Sequence, residues 1–216
     1  MGKGMLALMG ASLAVLGAAT AEAQTVYSNG PIDGTQSAWT VNYGYAVSNS
    51  FTLASATTIT GFTLGAWSFP GDDFTAVDYG FSTSPNYAIT GNAALTSSGA
   101  YTNGFGFTVA TYTGSITPIT LAAGTYWFSL QNATVSNGDP VYWDINNGPS
   151  HAYENTIGDV TDVLFPGSNS SAFTLTGSAA SPAPEPASWA MMVGGFGLVG
   201  GAMRARRKLA VSFVRA

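Results

Sequence analysis

Cysteine is absent from all 216 residues. With no disulfide and no thiolate chemistry available, a folded body must rest on its core alone. Basic side chains are almost as scarce. Lys3 stands near the start and Arg204, Arg206, Arg207, Lys208 and Arg215 near the end, so residues 24–183 contain none. The same stretch carries nine acidic residues, a formal charge of −9 hidden inside the chain's −5. A body of that sign repels phosphate backbones, which excludes nucleic acid as a partner. Histidine occurs once, as His151. No Gly-x-Ser-x-Gly elbow accompanies it, so a nucleophilic triad is not expected.

What the body has instead is short β-patterned runs. In GFGFTVATYTG, Phe105, Phe107 and Val109 alternate with small or polar residues, and Tyr126, Phe128 and Leu130 do so in AGTYWFSLQN. Further strands are expected at 51–53, 58–67, 77–82, 141–145 and 172–176. Turn pairs such as Pro70-Gly71, Asn103-Gly104, Ala123-Gly124, Asn137-Gly138 and Asn147-Gly148 fall between them. No helical period with caps occurs. The fold class expected for residues 24–177 is therefore all-β, an antiparallel sandwich or jelly roll. FTLASATTITGFTLGAW and LAAGTYWFSLQNAT also resemble strands of extracellular bacterial sandwiches of the lectin type.

Three chemistries are open to such a body. Asp72-Asp73, or Asp139 with Asp144, could serve a glycosidase, but short Asp side chains in Gly- and Asn-rich stretches are ordinary turn formers. No enzymatic activity is expected. Asp139 and Asp144, with Asn146 and Asn147 beside them, offer hard oxygen ligands for calcium, and Asp159 with Asp162 offers a second pair. No EF-hand spacing is present, solvated acidic loops are the plainer reading, and no other cofactor is implied. Carbohydrate binding rests on the aromatics Trp39, Tyr43, Tyr45, Trp67, Trp127, Tyr142, Trp143 and Tyr153. Adjacent Tyr126-Trp127 and Tyr142-Trp143 must point to opposite faces of a strand, so one member of each pair is free to stack on a sugar ring. Trp127, Tyr142 and Trp143 are the candidates.

The two ends carry addresses. Residues 1–23 read as a secretory signal peptide: Lys3, an apolar run from Met5 to Ala19, then Ala21-Glu22-Ala23 before cleavage at Gln24. The implied partners are signal peptidase and the secretion machinery. Residues 178–183 form a Pro/Ala/Ser linker. Beyond it, Ala187 to Met203 is apolar except for Ser188 and would be about 25 Å long as a helix. A single transmembrane helix is expected there, with the basic cluster and residues 209–216 on the cytoplasmic side. Five glycines make it a poor permanent anchor and suit it to close approach by another helix, Gly197 and Gly201 forming a small-xxx-small pair.

Pro184, Glu185, Pro186, Trp189, Ala190, Met191, Met192, Gly195, Phe196, Gly197, Gly200, Arg204, Arg206 and Arg207 stand in one order. That order resembles the PEP-CTERM sorting signal in its PEPxxWA form, spanning residues 184–208. The same tail also goes by the name of ice-binding protein C-terminal domain. Thr57, Thr58, Thr60 and Thr63 show no sustained repeat, so no ice-binding face is expected. The resemblance implies that exosortase, a membrane protease-transpeptidase of Gram-negative bacteria, cuts near Glu185. It implies an inner-membrane-anchored intermediate and then an extracellular or outer-surface form. The role it implies is a structural or adhesive component of exopolysaccharide or biofilm matrix, with polysaccharide as a partner.

Overall fold

The computed structural model describes residues 24–85, 88–156, 170–179 and 186–211. The expected signal peptide with Ala21 and Ala23, most of the linker, Pro184, Glu185, Asp159 and Asp162 lie outside them. The chain divides into two compact units, residues 1–178 and 179–216.

Among the described residues, twelve strands build the first unit. In order they are β1 (Gln24–Ser28), β2 (Ala38–Thr40), β3 (Tyr45–Leu53), β4 (Thr57–Ser68), β5 (Phe74–Ser82) and β6 (Gly91–Thr102). After them come β7 (Thr108–Leu121), β8 (Gly124–Val135), β9 (Tyr142–Asn146), β10 (Ala152–Thr156), β11 (Ser170–Ser171) and β12 (Phe173–Ala179). All the described pairings are antiparallel, in the path β1-β12-β4-β7-β6-β5-β8-β3-β10, with β9 pairing β2, β4 and β11 to the side. The mostly-β antiparallel expectation holds, but the sheet is one curled surface. The reason is β6, which pairs β5 through residues 91–94 and β7 through residues 95–102. One long strand thus carries the hydrogen-bond ladder around the bend.

Alternation then decides what lies inside. In β4, Ile59, Phe62, Leu64 and Ala66 are buried, and in β8, Phe128 and Leu130 are. Phe128 is the hub: its ring lies 5.2 Å from Phe62 and Phe81, 5.3 Å from Phe173 and 5.7 Å from Trp143. Offset and edge-on contacts at these separations add to the burial term.

The second unit holds one helix, α1 (Pro186–Val211). Proline suits the first helical position, where its missing N–H costs nothing. The helix runs three residues past the expected boundary at 208, because Arg206, Arg207, Lys208, Leu209 and Ala210 are all good helix formers. Cations also sit favourably against a helix C-terminus. Among the described residues, no helix is long and apolar enough to cross a membrane. The expectation of a transmembrane segment is met as to helix and not as to span. Gly194, Gly195, Gly197, Gly200 and Gly201 occupy the run while contributing almost no apolar surface.

Phe128→Ala should lower the unfolding free energy by about 3–5 kcal/mol, whereas the exposed Phe105→Ala should cost about 1 kcal/mol or less. Denaturant unfolding followed by tryptophan fluorescence measures both, and equal losses would contradict this placement of the core.

Candidate functional site: an aromatic cleft beside a buried carboxylate

Residues 29–37 lead from β1 to β2 as a strap held by buried polar groups. Asn29, fully buried, donates from Nδ2 to Ser150 Oγ (2.8 Å) and to the Ser171 carbonyl (2.7 Å). Asn146 Nδ2 donates to the carbonyls of Asn29 (2.9 Å) and Pro31 (2.8 Å). Further along, the backbone N–H groups of Asp33 (2.7 Å) and Gly34 (2.9 Å) donate to Asp144 Oδ2 and Oδ1. The Trp67 indole N–H donates to the same Oδ1 at 2.6 Å. Two glycines make room. Gly34 has φ +69°, and a Cβ there would strike the Tyr101 hydroxyl; a Cβ on Gly65 would meet Ile32 Cγ1 at 2.7 Å.

Asp144 is wholly buried with both oxygens taken by N–H donors. Burial pushes its carboxyl above the usual range, and the hydrogen bonds from Asp33, Trp67 and Gly34 pull back only part of that rise. This bears on the calcium reading at Asp139 and Asp144, because neither Asp144 oxygen is left without a donor. A metal needs oxygens facing outward, and those of Asp144 face a protein shell of donors; Asp139 is exposed in the turn before β9. Among the described residues, no group of three or more His, Cys, Asp or Glu is placed to hold a metal.

The strap and the β6–β7 turn enclose a cleft of about 340 Å³. Its floor is Trp67 and Tyr142, neighbours across the β4–β9 pairing. One wall is Gln36, Ser37 and Ala38; the other is Phe105 and Phe107. Phe105 stacks on Trp67 at 5.7 Å and 22° while remaining 61% exposed. Phe107 packs against Tyr142 (5.6 Å) and Phe69 (5.0 Å). Asn103 joins the two walls: its Oδ1 accepts the N–H groups of Phe105 and Phe107, and its Nδ2 donates to the Gly34 carbonyl at 3.1 Å.

Of the three sugar-stacking candidates, only Tyr142 reaches this cleft. Trp143 is corrected to a core residue: it is completely buried, and its indole N–H donates to the Ala172 carbonyl at 2.9 Å. Register decides this, because Trp143 pairs with Ala66, whose side is the core side. Trp127 points away from the core but is only half-exposed, with a buried indole N–H lacking a partner. It does not line the cleft. Trp67, Phe105, Phe107 and Gln36 are the members that sequence reasoning missed as a group. The Asn103-Gly104 turn signal was the available hint, since it places both phenylalanines in a turn rather than a strand. His151 is exposed and belongs to no such cluster. In the helix, Gly195, Phe196, Gly197 and Arg204 are exposed. No family model and no curated protein matches this chain.

Both Asp144 and Glu154 hold their protons more tightly folded than unfolded, in each case chiefly through burial. Their contribution to stability is complete below the ordinary carboxylate range and is lost as pH rises through the raised values. Asp33 runs the other way. Hydrogen bonds from Thr35 and Gln36 hold it low, so it weakens the fold only at pH below the usual range. The melting temperature should therefore be higher near about pH 5 than near about pH 8. Asp144→Asn should flatten that slope while costing about 1–3 kcal/mol, since an amide cannot accept from all three donors. An unchanged slope in this variant would show that Asp144 is not its source.

Proposed function

We propose that the chain is an exported protein sorted through its C-terminal helix by exosortase, and that the body serves as a non-catalytic adhesive component of exopolysaccharide or biofilm matrix. The observation that carries this reading is the division of the molecule. Residues 24–178, acidic and without Lys or Arg, fall in one unit, and a proline-started helix bearing Arg204, Arg206, Arg207 and Lys208 falls in the other. In this reading residues 1–23 direct export and are removed before Gln24. The acidic body then lies outside the inner membrane while the basic end stays at the cytoplasmic side. Because the glycine-rich helix falls short of a self-sufficient span, its retention depends on a membrane partner. Trp189 and the glycines would meet that partner, small residues allowing helices to approach closely. Cutting near Glu185 then releases the body to the outer surface or the surrounding matrix.

The cleft favours a second, compatible reading as a carbohydrate-binding module. Exposed aromatic faces beside polar groups suit the C–H face of a pyranose ring, and the position of Tyr142 fits that use. Among the described residues, the cleft lining includes no acid–base pair, which suits binding better than hydrolysis.

In a host with active exosortase, intact mass and terminal sequencing of the extracellular form should give a chain from Gln24 to near Glu185. Glu185→Ala should leave the tail attached. A tail-bearing wild-type product in such cells would sink the sorting reading. On a glycan array, Phe105→Ala should weaken binding at least about fivefold, the worth of one stack of about 1 kcal/mol. Tyr45→Ala, an exposed aromatic outside the cleft, should not.

A further inference from the structure

The charge around the cleft narrows what it can hold. No Lys or Arg exists anywhere in residues 24–183, and His151 does not line the cleft, so a uronate, sulfate or phosphate on a glycan would meet no cation there. Three carboxylates are tied to residues of its lining. Asp33 lies at its rim, where Gln36, a wall residue, donates from Nε2 to Asp33 Oδ2 at 2.8 Å. The Thr35 N–H donates to Asp33 Oδ1 at 3.0 Å, with the Thr35 hydroxyl on the same oxygen. Asp139 is exposed three positions before Tyr142. Asp144 stands behind Trp67.

The phenols of the region register this field. Burial first, then Asp144 and Asp33, pushes the Tyr101 hydroxyl up; burial first, then Tyr43 and Asp139, does the same for Tyr142. An aromatic surface with an exposed carboxylate at its rim, and no Lys or Arg in the body to neutralise it, attracts a cationic ligand through the ring faces as well as the charge.

We infer that the cleft binds a polysaccharide carrying free amino groups, its sugar ring stacked on Phe105 and Tyr142 and an ammonium drawn to Asp33, with Asp139 as a second counter-charge. This rests on the carbohydrate-binding reading above and adds the charge class of the sugar. A neutral glycan would use the rings alone and leave the carboxylates without a role. An acidic one would be rejected.

The test is titration calorimetry with the full-length protein at mildly acidic pH. There sugar amines are protonated, and Asp33, held below the ordinary range, stays ionised. The probes are β-1,4-linked hexamers of glucosamine, N-acetylglucosamine and glucose, a galacturonate hexamer, and hexalysine. The glucosamine hexamer should bind at least about fivefold more tightly than its N-acetylated and glucose counterparts, as one rim ion pair of about 1 kcal/mol allows. That preference should shrink in added salt. Asp33→Asn should remove most of the preference, bringing the glucosamine hexamer close to the affinity of its N-acetylated counterpart measured in the same variant. Asp139→Asn, in an exposed turn, should reduce it without disturbing the strap. Phe105→Ala should weaken all three neutral or amino sugars together.

Equal binding of glucosamine and glucose hexamers, or tighter binding of galacturonate, would overturn the amine inference and leave the carbohydrate reading standing. Hexalysine binding as tightly as the glucosamine hexamer would show a site for any cation and overturn the sugar occupant. Failure of every sugar to bind would sink both.

Discussion

One buried carboxylate organises the functional end of the body. Asp144 has no cation to answer it, so its charge is met by dipoles: two backbone N–H groups from the strap and the indole of Trp67. Charge-assisted bonds of this kind are stronger than neutral ones, but desolvation still costs more than they return. That cost fixes geometry. The strap cannot lift, nor Trp67 turn, without leaving a buried acceptor unmet. Cleft floor and cleft wall are therefore set by the same side chain. Asn103 repeats the device from the other side, ordering the Phe105–Phe107 turn while holding the Gly34 carbonyl.

Such fastening matters more in a chain without cysteine. The core must supply stability unaided, and it does so with rings: Phe62, Phe81, Trp143 and Phe173 all surround Phe128. Long side chains with charged ends, the usual cover for a sheet surface, are missing. Their place is taken by short amides and hydroxyls that bond internally. Asn29, Asn49, Asn146, Ser150, Ser170 and Ser171 are all buried and linked around the strap's start. Linked groups of this kind favour one arrangement, because each member has few alternative partners, although Asn49 Nδ2 and Ser171 Oγ are buried there with no hydrogen-bond partner among the described residues.

The strands that alternate strongly were legible from the residues alone. The run expected at 58–67 is the heart of β4, and 141–145 nearly coincides with β9. By contrast β6, GNAALTSSGAYT, has weak strand propensity and no alternation, and nothing local announced it. It exists because β5 and β7 pair with it, and that tertiary fact also joins the strands on either side into one curled antiparallel sheet. The same limit explains the tryptophans. Alternation says that Tyr142 and Trp143 face opposite ways; only the partner strand says which way is inward, and Ala66 supplies that answer. Phe105 and Phe107 fit an alternating template while lying in a turn, so their spacing pointed to the wrong surroundings. The cleft was hidden for that reason: its members come from four separate segments, and no spacing links them.

Segregated charge links the body to its tail. With basic residues distributed through it, the body could have closed surface ion pairs, each worth little. Removing them all leaves the carboxylates near the cleft unquenched and makes the local field a property of the ligand site. It also leaves Arg204, Arg206, Arg207 and Lys208 as the one concentrated positive region, carried on a separate helical unit. A helix whose glycines dilute its apolar surface would gain little from a bilayer alone, which is why the proposed sorting role calls for a membrane partner. The absence of Lys and Arg from the body and their concentration in the tail are thus one arrangement with two consequences: carboxylates that meet no Lys or Arg in the folded part, and a run of unmixed positive charge on the helix.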